Sequence, residues 1–399
     1  MTCKIILISN TAWSIANFRT GLIRGLLTAG HTVVAVAPPD KHISRITDLG
    51  VRFVPMEMDN KGTNPLKDFN LFLRFVQLFR KEMPCIFLGF TVKPNVYGGL
   101  AAAVCRIPAI NNVAGLGTVF VRDSLLTWLV AKLYRLGLAK SRKVFFQNKD
   151  DLSLFLKSGL VSIGVTGLLP GSGVNTEWFK PAFINDDLSS SLIQSTAIQS
   201  NKDGVFRFLL SARLLWDKGV KEFVDSAKIL HSAGTNTKFQ LLGFLDAENR
   251  TSIPRDTVND WEDEGIIQYL GESVDVRPIL AQADCIVLPS YYREGTPRSL
   301  IEAASMAKPI ITTDTPGCRD VVIDGFNGYL CKPRDAADLA DKMLKMINLT
   351  PYERNVMGCN GRMLVLREFD EQIVINRYLK AIKDIIESDS LMPAKIHHH

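Results

Sequence analysis

Short apolar runs alternate with amphipathic stretches along the chain. In the first part, runs that are apolar throughout predict buried β-strands at residues 4–9, 31–36, 85–88 and 143–147. Between these runs, apolar residues recur every three or four positions, which predicts helices at 18–29, 95–105 and 125–138. Strands that are buried on both faces and separated by helices indicate a parallel sheet with helices on both sides.

The same alternation returns in the second part of the chain. It predicts strands at 207–210, 238–242, 266–270, 285–288 and 309–313, and helices at 219–233, 276–282, 297–306 and 336–346. A long amphipathic helix is predicted at 371–387. The stretch 184–203 is rich in Ser, Asn, Asp and Gln, and we interpret it as the linker between the two parts.

The predicted fold class is therefore α/β, with two doubly wound Rossmann-like domains that face each other across a cleft. We expect a first domain at 1–180, on which a C-terminal helix at about 371–390 packs back, and a second domain at 181–370. A length of 399 residues suits two domains. The apolar runs are of strand length, so no membrane span is expected. In such sheets, ligands bind beyond the carboxyl ends of the strands.

The end of the strand at 285–288 is followed by two glutamates that suit one ligand. Thr296 is a favoured N-cap and Pro297 a favoured first helical residue, so a helix N-terminus that suits a phosphate is expected there. Glu302 lies a little more than one turn into this helix, where it can accept two hydrogen bonds from a vicinal diol such as a ribose. Glu294 precedes the turn and can reach past the phosphates to the group that they carry.

A second loop supplies positive charge. Arg213 and Lys218 follow the strand at 207–210, at its carboxyl end. Either cation alone is typical of a solvated loop, but two cations and a helix N-terminus can balance a diphosphate without a metal. The chain contains no D-x-D pair of carboxylates. The residues therefore predict a metal-independent diphosphate site, and no metal ligands are assigned.

These residues resemble glycosyltransferase family 4, which contains retaining enzymes of the GT-B architecture. The resemblance lies in Arg213 with Lys218-Gly219, and in the E-x7-E run from Glu294 through Gly295-Thr296-Pro297 to Glu302. Other stretches resemble one bacterial branch of that family, which assembles capsule, O-antigen and N-glycan chains. This branch adds a hexose or N-acetylhexosamine to undecaprenyl-diphosphate-linked sugars. These stretches are residues 90–98, 115–117, 146–148 and 170–174.

The resemblance implies a role for each donor-site residue. Arg213 and Lys218 would hold the diphosphate of a UDP-sugar, and Glu302 would hold its ribose. Glu294, as a catalytic residue, and the backbone of residues 295–297 would hold the donor sugar and the distal phosphate. The UDP-sugar is a co-substrate, and no cofactor is expected. The branch favours UDP-GalNAc as the donor, ahead of UDP-GlcNAc, UDP-galactose and UDP-glucose.

The first domain departs from the family pattern. Most members carry a glycine-rich loop after the first strand, but residues 10–19 lack paired glycines, so the side chains of Asn17 and Arg19 are expected to contact the acceptor. Many members place a histidine of this domain beside the donor sugar. Lys93 occupies an equivalent position and is the second catalytic candidate, contacting a donor or acceptor phosphate unless it is simply exposed. Asn95, from the same stretch, is the third acceptor candidate.

Charge is divided unevenly between the two parts. Residues 1–180 contain 22 Lys and Arg against 10 Asp and Glu, a net charge of +12, and the remainder carries −6, which together give the +6 of the chain. No nucleic-acid-binding module is recognisable, so nucleic acid is not an expected partner. An anionic membrane surface is expected instead. The basic amphipathic stretches at 69–81 and 125–143 carry the candidate cations Arg74, Arg80, Lys81, Lys132, Arg135, Lys140, Arg142 and Lys143.

The sequence therefore predicts a retaining, metal-independent glycosyltransferase. It would move a hexose or N-acetylhexosamine from a UDP-sugar to an undecaprenyl-diphosphate-linked saccharide during the assembly of a surface polysaccharide or glycan. The expected location is cytoplasmic, peripheral on the inner face of the cytoplasmic membrane. Two alternatives remain, namely a GT-B epimerase of UDP-sugars, whose group lacks the E-x7-E turn, and a non-catalytic nucleotide-sugar-binding subunit.

Overall fold

In the computed structural model, the chain forms two compact units. The structure describes residues 2–59, 64–116, 125–181, 204–245, 249 and 251–390. One unit runs from the N-terminus to Ser172 and resumes at Glu371, and the other is Gly173–Asp370. The division falls before the boundary expected at 180, because Val174 pairs with Asp370 and Phe179 is buried in the core of the second unit. The linker at 184–203 and Gly117 lie outside the described residues.

The first unit is built on a parallel sheet. Within the described residues its order is β3-β2-β1-β4-β5-β6-β7, so the direction of winding reverses between β1 and β4. The strands are β1 (Lys4–Ile8), β2 (Thr32–Ala37), β3 (Arg52–Pro55), β4 (Ile86–Phe90), β5 (Ala109–Val113), β6 (Lys143–Phe146) and β7 (Thr166–Leu168).

Helices cover this sheet. A π-helical turn, Pro94–Gly98, leads into α5, and Arg19 divides the helix predicted at 18–29 from a separate preceding helix. The helices are α1 (Ala12–Phe18), α2 (Thr20–Thr28), α3 (Ile43–Thr47), α4 (Pro65–Glu82), α5 (Gly99–Cys105), α6 (Leu125–Leu138), α7 (Lys149–Lys157) and, from the end of the chain, α14 (Glu371–Ser390). No helix among the described residues combines the length and the apolar character that crossing a membrane requires.

Two glycines let α14 approach α2 closely. A Cβ on Gly21 would lie 2.2 Å from Oε2 of Glu371, and a Cβ on Gly25 would lie 2.4 Å from Cγ2 of Ile375. Both distances are shorter than real contacts; the end of the Glu371 side chain could swing away, but Ile375 is packed and branched, so a larger residue at Gly25 would force α2 and α14 to shift. Further along α14, Tyr378 has no exposed surface, and its hydroxyl accepts a hydrogen bond from Asn112 Nδ2 at 2.8 Å. The C-terminal helix is thus part of the first unit's core.

The second unit repeats the plan. Its parallel sheet has the order β10-β9-β8-β11-β12-β13 within the described residues, and the winding reverses between β8 and β11. The strands are β8 (Phe206–Ser211), β9 (Thr237–Leu242), β10 (Gln268–Tyr269), β11 (Cys285–Leu288), β12 (Ile310–Thr313) and β13 (Gly328–Cys331). The helices are α8 (Val220–Ser232), α9 (Arg255–Asp263), α10 (Arg277–Gln282), α11 (Arg298–Ser305), α12 (Ala336–Asn348) and α13 (Pro351–Glu368). The predicted class of two doubly wound α/β domains is confirmed.

The strand β5 was not predicted, because its sequence Ala-Ile-Asn-Asn-Val is polar in the middle. Both asparagines are fully buried. Asn111 donates to Asn95 Oδ1 at 3.0 Å and accepts from the Ser141 hydroxyl at 2.8 Å, while Asn112 bonds Tyr378. Buried polar groups are tolerated when they are hydrogen-bonded, and these partners come from distant parts of the chain. A pattern of apolar positions therefore cannot reveal this strand.

Candidate functional site

The candidate site of the second unit lies where the strand order reverses. Arg213 and Lys218 follow β8, and Glu294 follows β11. Since β8 and β11 are parallel neighbours, both loops leave the sheet at the same carboxyl edge. The connections after them wind in opposite directions, which is the position where open α/β sheets bind ligands. The structure thus brings together the two loops that the sequence singled out.

An ion pair joins these two loops. The Lys218 ammonium contacts Oε1 of Glu294, and each side chain is only 11% exposed. The hydroxyl of Ser290 donates to the same oxygen at 3.0 Å. The ring of Tyr292 covers the lysine, with its centroid 5.4 Å from Nζ. With so little water around them, the two charges interact more strongly than a surface pair would.

Backbone hydrogen bonds fix the spacing of the loops. The N–H groups of Tyr291 and Tyr292 both donate to the carbonyl of Asp217, each at 3.1 Å. The oxygen of the Ser290 hydroxyl lies 3.2 Å from this carbonyl, so its single proton is shared between Asp217 and Glu294. Asp217, the residue before Lys218, is therefore hydrogen-bonded to the loop that carries Glu294. These bonds fix the position of the lysine relative to the glutamate.

Two glycines in left-handed conformations allow the loops around this pair to pack closely. Gly219 has φ 75°, and a Cβ there would lie 2.0 Å from the carbonyl oxygen of Pro289. Gly317, in the loop after β12, has φ 82°, and a Cβ there would lie 1.5 Å from the carbonyl oxygen of Gly295. Only glycine fits both the backbone angle and the space. Sequence reasoning missed Gly317, although its Thr-Pro-Gly context is typical of a tight turn.

The start of α11 differs from the prediction by one residue. The helix begins at Arg298, with Pro297 in the cap position, an extended ψ of 120° and no side-chain capping bond. The backbone N–H of Leu300 donates to the Pro297 carbonyl at 3.2 Å. Thr296 is 8% exposed and precedes the cap, so its predicted role as the N-cap is wrong. The extended Pro297 takes that place because its own carbonyl accepts the first bonds of the helix.

Glu302 lies on the second turn of α11 with its side chain 16% exposed. Arg298 donates from Nε to Oε1 of Glu302 at 2.8 Å. Burial raises the pKa of the Glu302 carboxyl above its usual value, and the Arg298 guanidinium opposes that shift. The sequence analysis gave Arg298 no role, although its i,i+4 spacing from Glu302 was visible.

Arg213 belongs to the same cluster. It is half-buried at the carboxyl end of β8, and its charge opposes the rise in the pKa of Tyr292 that burial and Glu294 cause. The turn at Gly243 packs against the backbone just before Arg213, since a Cβ on Gly243 would lie 1.7 Å from the carbonyl oxygen of Ala212. The five residues Arg213, Lys218, Glu294, Arg298 and Glu302 thus place three cations and two carboxylates on three neighbouring segments.

In the first unit, the acceptor candidates Asn17 and Arg19 follow β1. Asn17 donates to the Trp13 carbonyl at 2.9 Å and accepts from Arg45 Nη1 at 3.1 Å. Arg19 is 4% exposed, and its guanidinium carbon lies 4.1 Å from the centroid of the Phe90 ring at the end of β4. Arg19 therefore lies at the reversal between β1 and β4, and a direct acceptor contact by either residue stays a prediction.

Lys93, the catalytic candidate after β4, forms an ion pair with another side chain of the first unit. Lys93 Nζ lies 2.5 Å from Oδ1 of Asp68 on α4, and the two side chains are 13% and 12% exposed. The Tyr97 hydroxyl donates to the other oxygen of Asp68 at 2.8 Å. The catalytic role of Lys93 stays a prediction that would require it to leave this pair.

Asn95 needs a correction. It has no exposed surface, its Nδ2 donates to the Asn112 carbonyl at 2.8 Å, and its Oδ1 accepts from Asn111 at 3.0 Å. Both ends of the amide are thus used inside the unit. Asn95 supports β5 rather than contacting an acceptor directly.

Two family models match the chain. The one described as "Glycosyl transferase 4-like" matches residues 4–148, and the one described as "Glycosyl transferases group 1" matches residues 194–363. The matches fall in the first and the second unit respectively, apart from residues 194–203, which lie outside the described residues. The second match contains Arg213, Lys218, Glu294 and Glu302.

Curated relatives and solved structures agree with these models. The chain is 27% identical to the N,N'-diacetylbacillosaminyl-diphospho-undecaprenol alpha-1,3-N-acetylgalactosaminyltransferase of Campylobacter jejuni, over 96% of this chain and 100% of the relative. It is 24% identical to the UDP-Gal:alpha-D-GlcNAc-diphosphoundecaprenol alpha-1,3-galactosyltransferase of Escherichia coli, over 80% and 79% of the two chains. Anabaena Alr3699/HepE, solved in complex with UDP and glucose, superposes with a TM-score of 0.73 at 16% identity, covering 98% of this chain and 100% of that one. This structural likeness confirms the fold.

Proposed function

The chain belongs to glycosyltransferase family 4, and we propose that it transfers a hexose or N-acetylhexosamine from a UDP-sugar to an undecaprenyl-diphosphate-linked saccharide. The single observation that carries this proposal is the buried pair of Lys218 and Glu294 at the reversal point of the second sheet. The names of the Campylobacter and Escherichia coli relatives support an acceptor on undecaprenyl diphosphate. The first of these supports GalNAc as the sugar to test first.

The geometry suits this chemistry. In the transfer, a hydroxyl oxygen of the acceptor bonds to the anomeric carbon of the donor, the bond from that carbon to UDP breaks, and the hydroxyl proton passes to an oxygen of the departing diphosphate. Negative charge then grows on the departing diphosphate, where Lys218 and Arg213 would stabilise it. Positive charge grows on the sugar ring, which the carboxylate of Glu294 would face. We propose that the configuration at the anomeric carbon is retained and that no metal takes part.

A panel of UDP-sugars tests this function. UDP release is measured with UDP-GalNAc, UDP-GlcNAc, UDP-galactose and UDP-glucose, with and without a lipid-diphosphate saccharide, in the presence of EDTA. A transferase releases UDP mainly when the lipid is present, and chelation has little effect. An epimerase interconverts UDP-sugars without the lipid. A non-catalytic subunit binds UDP and releases none. The relatives favour the transferase over both alternatives.

The first unit has a surface that suits an anionic membrane. The exposed side of α6 carries Trp128, which is 58% exposed, and Leu136, which is 59% exposed. Lys132, Arg135 and Lys140 are exposed on α6 or just after it, and Lys132 Nζ lies 5.5 Å from the Trp128 ring centroid. Exposed aromatic and basic side chains together favour the interface of an anionic bilayer. We propose that the enzyme acts on the cytoplasmic face of the membrane, where UDP-sugars and lipid-linked acceptors meet.

Charge reversal at this surface should weaken membrane binding. Each cation near an anionic bilayer contributes about 1 kcal/mol, so reversing Lys132, Arg135 and Lys140 together is expected to lower vesicle affinity by about a hundredfold or more. Lys143 is left out because it donates to the Thr166 carbonyl at 2.9 Å. Co-sedimentation with vesicles that contain anionic lipid measures the effect.

The matched control reverses three exposed lysines of the second unit, Lys221, Lys228 and Lys238. It should leave vesicle binding nearly unchanged, and both triple variants should bind UDP as the wild type does. Equal binding of the wild type to neutral and anionic vesicles would show that the basic surface has another purpose.

A further inference from the structure

Arg298 stands at a position where helix stability does not favour an arginine. It is the first residue of α11, and helix N-termini favour anions over cations. It also precedes its partner Glu302 by four residues, with the cation on the N-terminal side, which is the less stabilising order for an i,i+4 pair. The stability of α11 therefore does not explain an arginine at this position.

The surroundings of the pair indicate another reason. The side chains of Arg298 and Glu302 are 19% and 16% exposed, so this is an enclosed pair rather than a surface one. A carboxylate with so little water needs a partner. The Arg298 Nε–H donates to Oε1 at 2.8 Å and so restricts the rotation of the carboxylate. Within the described residues no second side-chain donor contacts this carboxylate, and an ionised carboxylate has about four acceptor positions.

We propose that Arg298 is a positioning residue that orients the Glu302 carboxylate, so that its remaining acceptor positions receive the hydroxyls of the donor's ribose. This inference rests on the proposed function, because the ribose is that of a UDP-sugar. Without the arginine the buried carboxylate can rotate, and it loses the counter-charge that keeps it a good acceptor. The residue thus determines how well the site distinguishes a ribose from a deoxyribose.

The rival interpretation is that Arg298 contacts the diphosphate itself. The two interpretations differ in which ligand the substitution affects. A phosphate contact contributes equally to UDP and to 2′-deoxy-UDP, because both carry the same diphosphate. A positioning role acts only through the ribose hydroxyls. Removing Arg298 would therefore lower the ratio of the affinity for UDP to the affinity for 2′-deoxy-UDP.

Calorimetric titration of the full-length protein with UDP and 2′-deoxy-UDP provides the test. The wild type is expected to bind UDP roughly tenfold to a hundredfold more tightly than 2′-deoxy-UDP, the range of a hydrogen bond to a charged group. In Arg298→Ala the ratio should fall to about threefold or less, because UDP loses more affinity than 2′-deoxy-UDP, which keeps only the 3′-hydroxyl of the pair. Arg298→Lys, which keeps the charge, should recover part of the ratio. Lys221→Ala is the matched control, because Lys221 pairs with Asp225 in the same i,i+4 order at the first turn of α8.

Each outcome decides between the interpretations. Equal losses for both ligands in Arg298→Ala would assign the arginine to the diphosphate and overturn the inference. An unchanged ratio would overturn it as well. If the wild type binds both ligands equally, the ribose role of Glu302 fails and the inference with it. If the wild type binds neither, the proposed function itself fails. Thermal unfolding of each variant shows whether it is folded before the titration is read.

Discussion

Glu294→Gln is expected to lower kcat by about 10²- to 10⁴-fold while UDP affinity stays the same or increases. Glutamine keeps the shape of the side chain but cannot stabilise positive charge on the donor sugar. In the free protein the same carboxylate neutralises the Lys218 ammonium and accepts from Ser290. Removing its charge therefore releases the lysine for the diphosphate, which is why the binding of UDP should not suffer.

Rates with a saturating donor and calorimetry with UDP measure the two effects separately. A loss in kcat without a loss of UDP affinity identifies an interaction made mainly in the transition state. The unpaired Lys218 should also destabilise the free variant, so UDP should raise its Tm more than it raises that of the wild type. If Glu294→Gln fails to bind UDP while Glu302→Ala binds it normally, the roles of the two glutamates are reversed.

Lys218→Ala is expected to weaken UDP binding by about 10²- to 10³-fold. Truncating one charged partner of a buried contact with a ligand costs about 2–5 kcal/mol of binding, and here the remaining Glu294 carboxylate would also repel the diphosphate. Arg213→Ala should also weaken UDP, because it removes one of the two cations that are proposed to hold the diphosphate. Isothermal titration measures the UDP affinity of the wild type, Lys218→Ala and Arg213→Ala.

A second substitution separates the two causes of this loss. Lys218→Ala combined with Glu294→Gln should bind UDP more tightly than Lys218→Ala alone, because the repelling charge is gone, while turnover stays lost. Arg319→Ala is the control, since Arg319 is an exposed arginine in the loop after β12 that pairs with Asp314. Wild-type UDP affinity in Lys218→Ala would remove this lysine from the donor site.

Within the described residues, the alternation of apolar runs predicted four of the seven strands of the first sheet and five of the six of the second. Strands such as β1, β4 and β11 are apolar on both faces, and short runs of this kind are typical of buried strands in a parallel sheet. The donor loops could also be located, because a parallel strand delivers the residues that follow it to the carboxyl edge of the sheet. The sequence thus assigned Lys218 and Glu294 to one donor site, and the structure shows that their side chains are in contact.

Other features depend on contacts between residues that are far apart in the chain. The polar strand β5 is stable only because Asn95, Ser141 and Tyr378 satisfy its asparagines. The helix α13 has apolar residues on its exposed side, such as Met363 at 59%, so it lacks the one-sided pattern that predicts a helix. The internal pairing of Lys93 with Asp68 was hidden for the same reason, since α4 brings the aspartate from 25 residues away.

The central claim is that one sugar passes from UDP to a lipid-linked saccharide, and the mass of the lipid product tests it most directly. The purified protein is incubated with UDP-GalNAc, EDTA and a defined undecaprenyl-diphosphate saccharide, and the lipid is analysed by mass spectrometry while UDP is quantified. We expect the lipid to gain a single N-acetylhexosamine, with an equal amount of UDP released. UDP release with no change in lipid mass, for every UDP-sugar of the panel, would contradict the account.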